Sequence, residues 1–128
     1  MADLNPKKVM VIDNDSDTLD SLERNLRERG VQPVIVRRGA QAVKRVKDEK
    51  PGAVVMELSL PDQDGRTVIK EIKDDWDAKK VPILVLSNYP NRLDYATREK
   101  VEAVFGKPTA FEDLYGELQR AIEKAQKS

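Results

Sequence analysis

Cysteine and histidine are both absent from this chain of 128 residues. No disulfide, no zinc cage of thiolates or imidazoles, no Ser-His-Asp triad and no Cys-His dyad can be built from it. A phosphoryl group carried on histidine is excluded on the same ground. Chemistry must run on carboxylates, hydroxyls, amides, lysine or arginine, and any metal should be a hard ion such as magnesium or calcium. A surplus of either charge is lacking too, since 23 Lys and Arg face 23 Asp and Glu. No overall field therefore recruits nucleic acid or an anionic membrane. The longest uncharged stretch runs only from Val81 to Asn91, well short of the roughly 20 residues that span a bilayer. The amino terminus, Met-Ala-Asp-Leu-Asn-Pro-Lys-Lys, has no apolar stretch of signal-peptide type, so a soluble, cytoplasmic chain is expected. The six glycines form neither G-x-x-x-x-G-K-[ST] nor G-x-G-x-x-G, which argues against a P-loop or dinucleotide-binding enzyme.

What is present is alternation. Val9 to Ile12 is a β-branched run ending at Asp13-Asn14-Asp15, as expected of a strand buried on both faces. Leu19, Leu22 and Leu26 follow at helical spacing, with Gly30 as a stop. Val31 to Val36 reads as a second strand, and Pro33 within it cannot donate to a ladder, which confines that strand to a sheet edge. Ala42, Val43 and Val46 mark a short helix ended by Pro51-Gly52, and Ala53 to Met56 is a third strand running into Glu57. Val68, Ile69, Ile72 and Trp76 predict a third helix. Pro82 to Leu86, the most apolar run, is expected at the sheet centre, and Val104-Phe105 is a short last strand. Leu93, Ala96 and Val101 make a weak fourth helical stripe, whereas Phe111, Leu114, Leu118, Ile122 and Ala125 make a strong fifth. Strands alternating with helices through short connections imply an α/β fold with a parallel sheet covered on both faces.

In such sheets ligands gather beyond the carboxyl ends of the strands. The residues there are Asp13-Asn14-Asp15, Glu57, Ser87-Asn88 and Lys107-Pro108. Carboxylates suit a hard cation, lysine neutralises phosphoryl oxygens, and a hydroxyl donates to a third oxygen. On residue type alone, Asp13-Asn14-Asp15 suits the capping of the following helix equally well. Four pieces, in order, then carry a resemblance: Val-Met-Val-Ile-Asp-Asn-Asp, Glu57-Leu-Ser-Leu-Pro-Asp-Gln-Asp-Gly, Leu86-Ser-Asn and Gly106-Lys-Pro. The chain resembles the receiver domain of two-component response regulators from Lys7 to Ala125. The resemblance implies a single receiver domain over residues 1–128. It implies a doubly wound five-stranded parallel sheet in the order 2-1-3-4-5, a flavodoxin-like three-layer sandwich, and a cis peptide bond at Lys107-Pro108.

Against that family, this sequence departs at telling positions. Receivers accept a phosphoryl group on an aspartate where this chain has Glu57, and the extra methylene moves the carboxylate outward by about 1.5 Å. In-line attack is sensitive to such displacements, so transfer should be slow or absent. The longer side chain is instead expected to carry negative oxygens toward Lys107 and Ser87, imitating part of the phosphorylated state; a plain salt bridge to Lys107 in a silent site is the alternative. The family's acidic pair is Asp13-Asn14 here, one acid short. Magnesium held by Asp13, Asn14, Glu57 and the Ser59 carbonyl, with help from Asp15, is therefore expected to bind weakly or not at all. Ser87 and Lys107 match the family's hydroxyl and lysine that sense the phosphoryl group. The aromatic usual three residues before the lysine is Val104, with Phe105 one step on and aimed at the other face of the sheet; Tyr89 is a substitute. The function expected is that of a stand-alone, non-enzymatic receiver without an output domain, working through a protein partner such as a sensor kinase, another regulator or an effector. It would bind through the fourth helix, fifth strand and fifth helix, as a monomer or weak homodimer, with no nucleic acid or membrane involved. The rival readings are a receiver that still takes and hydrolyses a phosphoryl group with magnesium, and a small-molecule binder of the same fold.

Overall fold

The computed structural model describes residues 3–127; Met1, Ala2 and Ser128, at the ends of the single domain expected from sequence, lie outside them. Five strands, β1 (Asn5–Ile12), β2 (Gln32–Val36), β3 (Pro51–Met56), β4 (Ile83–Ser87) and β5 (Ala103–Gly106), form one sheet in the order β2-β1-β3-β4-β5. All pairings are parallel. Between them run α1 (Ser16–Glu28), α2 (Ala42–Glu49), α3 (Gly65–Asp74), α4 (Tyr95–Arg98) and α5 (Phe111–Gln126), with single 3₁₀ turns at Gly39–Gln41 and Pro90–Arg92.

Period-two alternation along the strands divides the core. Met10, Ile12, Val54, Met56, Ile83 and Val85 pack with Val46 of α2 and Val68, Ile69 and Ile72 of α3. Val9, Val11, Ala53, Val55, Leu84 and Leu86 pack on the other side with Leu19, Leu22 and Leu26 of α1 and Leu114 and Leu118 of α5. Each face is thus closed by helices, which is why the strands read as continuous apolar runs rather than as alternating ones.

The edge position that Pro33 demands is the one observed, with Pro33 in register with Val9 and β2 at the end of the strand order beside β1. The expectation for the fourth strand is corrected: β3, not β4, lies at the centre. Every residue of both strands is buried, so apolarity reports double-sided cover and not rank across the sheet. β3 also starts at Pro51 rather than Ala53, because Lys50 leaves α2 in the left-handed region at φ 50° and returns the chain to the sheet at once.

Two helices differ from their stripes. Trp76 lies outside α3 and is 79% exposed, because the Asp75 carboxylate accepts the amides of Asp77 and Ala78 (2.9 Å each) and turns the chain away. α4 is a single turn with no buried residue, started by Asp94, whose side chain accepts the Thr97 amide and hydroxyl. A stripe of three weakly spaced apolar residues buries too little to lengthen it. Among the described residues no helix is long and apolar enough to cross a membrane.

Candidate functional site

Parallel strands deliver their carboxyl ends to one rim, and backbone hydrogen bonds lock that rim before any side chain is considered. The Asp13 amide donates to Val36 O (3.0 Å), Glu57 to Ile12 O (2.9 Å) and Lys107 to Ser87 O (2.9 Å). The strand tips therefore place Asp13, Glu57, Ser87 and Lys107 side by side, as expected. Asp13, Glu57 and Ser87 are the buried polar residues among the described ones, at 2%, 3% and 0% exposure.

Glu57 is turned fully into this pocket. Its Oε2 accepts the amides of Leu58 (2.6 Å) and Ser59 (3.1 Å) and the Ser87 hydroxyl. Its Oε1 accepts the Asn88 amide (3.2 Å) and lies 3.2 Å from Lys107 Nζ. Lys107 Nζ also stands 2.8 Å from Asp13 Oδ2, while Asp13 Oδ1 accepts the Asp15 amide (2.9 Å). Two carboxylates share one ammonium, and main-chain amides satisfy what the lysine does not.

The charges respond accordingly. Burial pushes the Glu57 carboxyl up, but the Ser87 hydroxyl, the Ser59 and Asn88 amides and the Lys107 ammonium outweigh it, and the group is held below the usual glutamate range. Burial alone would lower the Lys107 ammonium, yet the hydrogen bond and charge of Asp13, followed by those of Glu57, raise it. Both groups are charged at neutral pH.

The other expected site residues divide. Asp15 is the cap of α1, accepting the Thr18 amide (3.1 Å) and hydroxyl (2.7 Å), so for this residue the capping alternative is the observed one. Asn14 is exposed at the rim and makes no side-chain hydrogen bond among the described residues. Ser59 contributes its amide to Glu57 and pairs with Asp64 in an isolated antiparallel bridge. Tyr89, 44% exposed, donates its amide to Ser87 Oγ (2.9 Å) and carries the Arg92 guanidinium 4.0 Å above its ring. Val104 packs on the α2 and α3 side of the sheet and Phe105 on the α1 and α5 side, so the one-residue offset does send the ring to the opposite face. The Lys107-Pro108 bond is cis. Among the described residues no group of three or more acids is placed to hold a metal ion.

What residue types did not reveal is the share of main-chain donors. The amides of Leu58, Ser59 and Asn88 hold Glu57, and a backbone N–H leaves no mark on residue identity. The nearest signal was Gly65. Its amide donates to Leu58 O (2.7 Å), and a Cβ there would stand 2.6 Å from Leu58 Cα, so only glycine lets the loop after β3 fold back.

Fold and site together define a doubly wound α/β domain with two buried carboxylates, a hydroxyl and an ammonium gathered at its strand tips. The family model of the response regulator receiver domain matches residues 9–119, and the chain belongs to that family. It is 38% identical over 81 residues to the transcriptional regulatory protein PrrA of Mycobacterium tuberculosis (strain ATCC 25618 / H37Rv), covering 62% of this chain and 34% of that protein. The chain thus spans about a third of the length of the curated relatives it matches. Among solved structures it is similar to a sensor protein from Polaromonas sp. JS666, with a TM-score of 0.86 at 27% identity, covering 94% of this chain and 98% of that one. It also matches the fold of the receiver domain of a sensor histidine kinase from Pseudomonas aeruginosa PAO1, which has a magnesium ion coordinated in its active site cleft. That match has a TM-score of 0.82 at 24% identity and covers 93% of this chain and 99% of that one.

Proposed function

We propose that this receiver domain of two-component signalling works as a protein interaction module whose pocket is set by Glu57, standing at the phosphoacceptor position, rather than by a transferred phosphoryl group. One observation carries the reading: the Ser87 hydroxyl, the Lys107 ammonium and the Asn88 amide all converge on the carboxylate of Glu57 itself. In the family these are the kinds of donor a phosphoryl group recruits, so the side chain satisfies the sensing half of the pocket without modification. Ser87 Oγ, held against Glu57, in turn accepts the Tyr89 amide, which links the pocket to the segment leading into α4. The partner is a sensor kinase, another regulator or an effector, engaged through α4, β5 and α5.

The donor set argues against a strong magnesium site. A carboxylate offers about four lone-pair positions, and those of Glu57 already face Leu58 N, Ser59 N, Ser87 Oγ, Asn88 N and Lys107 Nζ. Asp13, with the Ser59 carbonyl, is left as the residue able to hold the ion, which would there screen charge at the rim. Magnesium normally wants one or two carboxylates with retained waters, so binding is weak.

Incubation of the full chain with acetyl phosphate and magnesium, followed by intact-mass measurement, tests the proposal. No adduct is expected, and a phosphoprotein that disappears in Glu57→Gln would overturn it in favour of a working phosphoacceptor. Against its protein partner, without phosphodonor, Glu57→Gln should lose more affinity than Glu57→Asp. Equal affinity across the three forms would remove the imitation of the phosphorylated state.

A further inference from the structure

The loop after β3 supplies two of the amides on Glu57, and its shape depends on contacts at both its base and its tip. The base is closed by the Ser59 to Asp64 bridge and by the Gly65 amide on Leu58 O. The tip is tied elsewhere. Asp62 reaches across to the loop between β2 and α2, where its Oδ1 accepts the Gly39 amide and its Oδ2 the Ala40 amide, both at 2.9 Å. Those amides open the 3₁₀ turn Gly39–Gln41, whose own preceding residue, Arg38, provides no side-chain cap. The cap thus comes from a different element, a carboxylate serving one turn while anchoring another.

The seat is close-fitting. A Cβ on Gly39 would stand 2.7 Å from Val68 Cγ2 and 2.8 Å from Gln63 Cγ, so the backbone of one loop lies directly against α3 and the neighbour of Asp62. The Asp62 carboxyl is held below the usual range, first by the Ala40 amide, against some cost of burial, with the Gly39 amide adding to it. It is therefore charged at neutral pH and accepts both amides at full strength.

We infer that Asp62 is a positioning residue, which holds the loop after β3 in register through Gly39 and Ala40 so that the Leu58 and Ser59 amides stay aimed at Glu57. It makes the loop between β2 and α2 an input to the pocket: whatever displaces Gly39 and Ala40 loosens the grip on Glu57. The inference rests on the reading of Glu57 given above only for its signalling consequence, since the grip itself is measurable without a partner or phosphodonor.

The test is amide hydrogen exchange followed by NMR in the full chain, read at Leu58 and Ser59, whose N–H groups donate to Glu57, and referred to the buried core amide of Val54. Asp62→Ala should speed exchange at Leu58 and Ser59 by about threefold or more relative to Val54, because the loop that aims them has lost its tie to Gly39 and Ala40. Asp62→Asn, which keeps one oxygen acceptor, should fall between this variant and the parent. Val46→Ala, which loosens α2 through the core and not through the loop, should lower thermal stability and leave the rates at Leu58 and Ser59 relative to Val54 unmoved. Unchanged relative rates in Asp62→Ala, or an equal change in Val46→Ala, would overturn the inference. If Asp62→Ala does not fold, Asp62→Asn decides: faster relative exchange than in the parent supports the role, and parental rates refute it.

Discussion

The tip of β3 and the segment after β4 meet at Ser87, yet they are held in opposite ways. Glu57 is buried and bound by main-chain amides, a hydroxyl and an ammonium. From Tyr89 to Arg98 the contacts are exposed: Arg92 lies over Tyr89, Arg66 donates to Arg92 O (3.3 Å), and Tyr95 is 81% exposed on a helix of one turn. Rigidity is spent where charge must be held in place. The neighbouring segment has no fully buried residue from Tyr89 to Arg98, the character of the low-stability segments from which moving elements are generally drawn.

The contrast can be broken most strongly at Lys107. Lys107→Ala leaves two buried carboxylates without their shared cation, and a loss of about 3–5 kcal/mol is expected, measured by denaturant unfolding at neutral pH. A loss under about 1 kcal/mol would mean that the amides alone hold the pocket.

Acid acts on the same pocket with an effect of intermediate size. The Glu57 pKa is lowered by folding, so its stabilisation is complete above its ordinary value of 4.5 and drains away as the pH falls through the lower folded value. Lys107 runs the other way, its share being lost only as the pH rises through its raised value. Unfolding free energy should therefore hold steady through neutrality and fall below about pH 4.5, with a shallower fall in Glu57→Gln. Equal slopes in the two proteins would show that Glu57 is not held as described.

The smallest effect belongs to the loose segment. Arg92→Ala removes one exposed ring contact, and stability should change by no more than about 0.5 kcal/mol, while the amide resonances of Tyr89 and its neighbours shift. A large destabilisation would place that segment with the rigid part of the molecule.

How far the sequence announced all this depends on which atoms carry the information. Pro33 placed its strand at an edge because a missing N–H is a property of the residue. The offset of Val104 and Phe105 was legible because strand periodicity is strict. Glu57, Ser87 and Lys107 converged as expected because strand tips in a parallel sheet share a rim. Trp76 was misplaced because its spacing from Ile72 suits a helix that the Asp75 turn had already ended. The long-range tie from Asp62 to Gly39 and Ala40 escaped entirely, since nothing in either segment names the amides of the other.

The position of Trp76 also sets the optics of this protein. As the sole tryptophan it dominates the intrinsic emission, yet it sits in the turn entering β4, at the rim opposite the pocket, open to water and with Lys79 Nζ 4.0 Å from its ring centroid. Its fluorescence will be red-shifted in the native protein and nearly indifferent to events at Glu57. Unfolding is better followed by circular dichroism, and a tryptophan introduced near Tyr89 would give the pocket a lamp of its own.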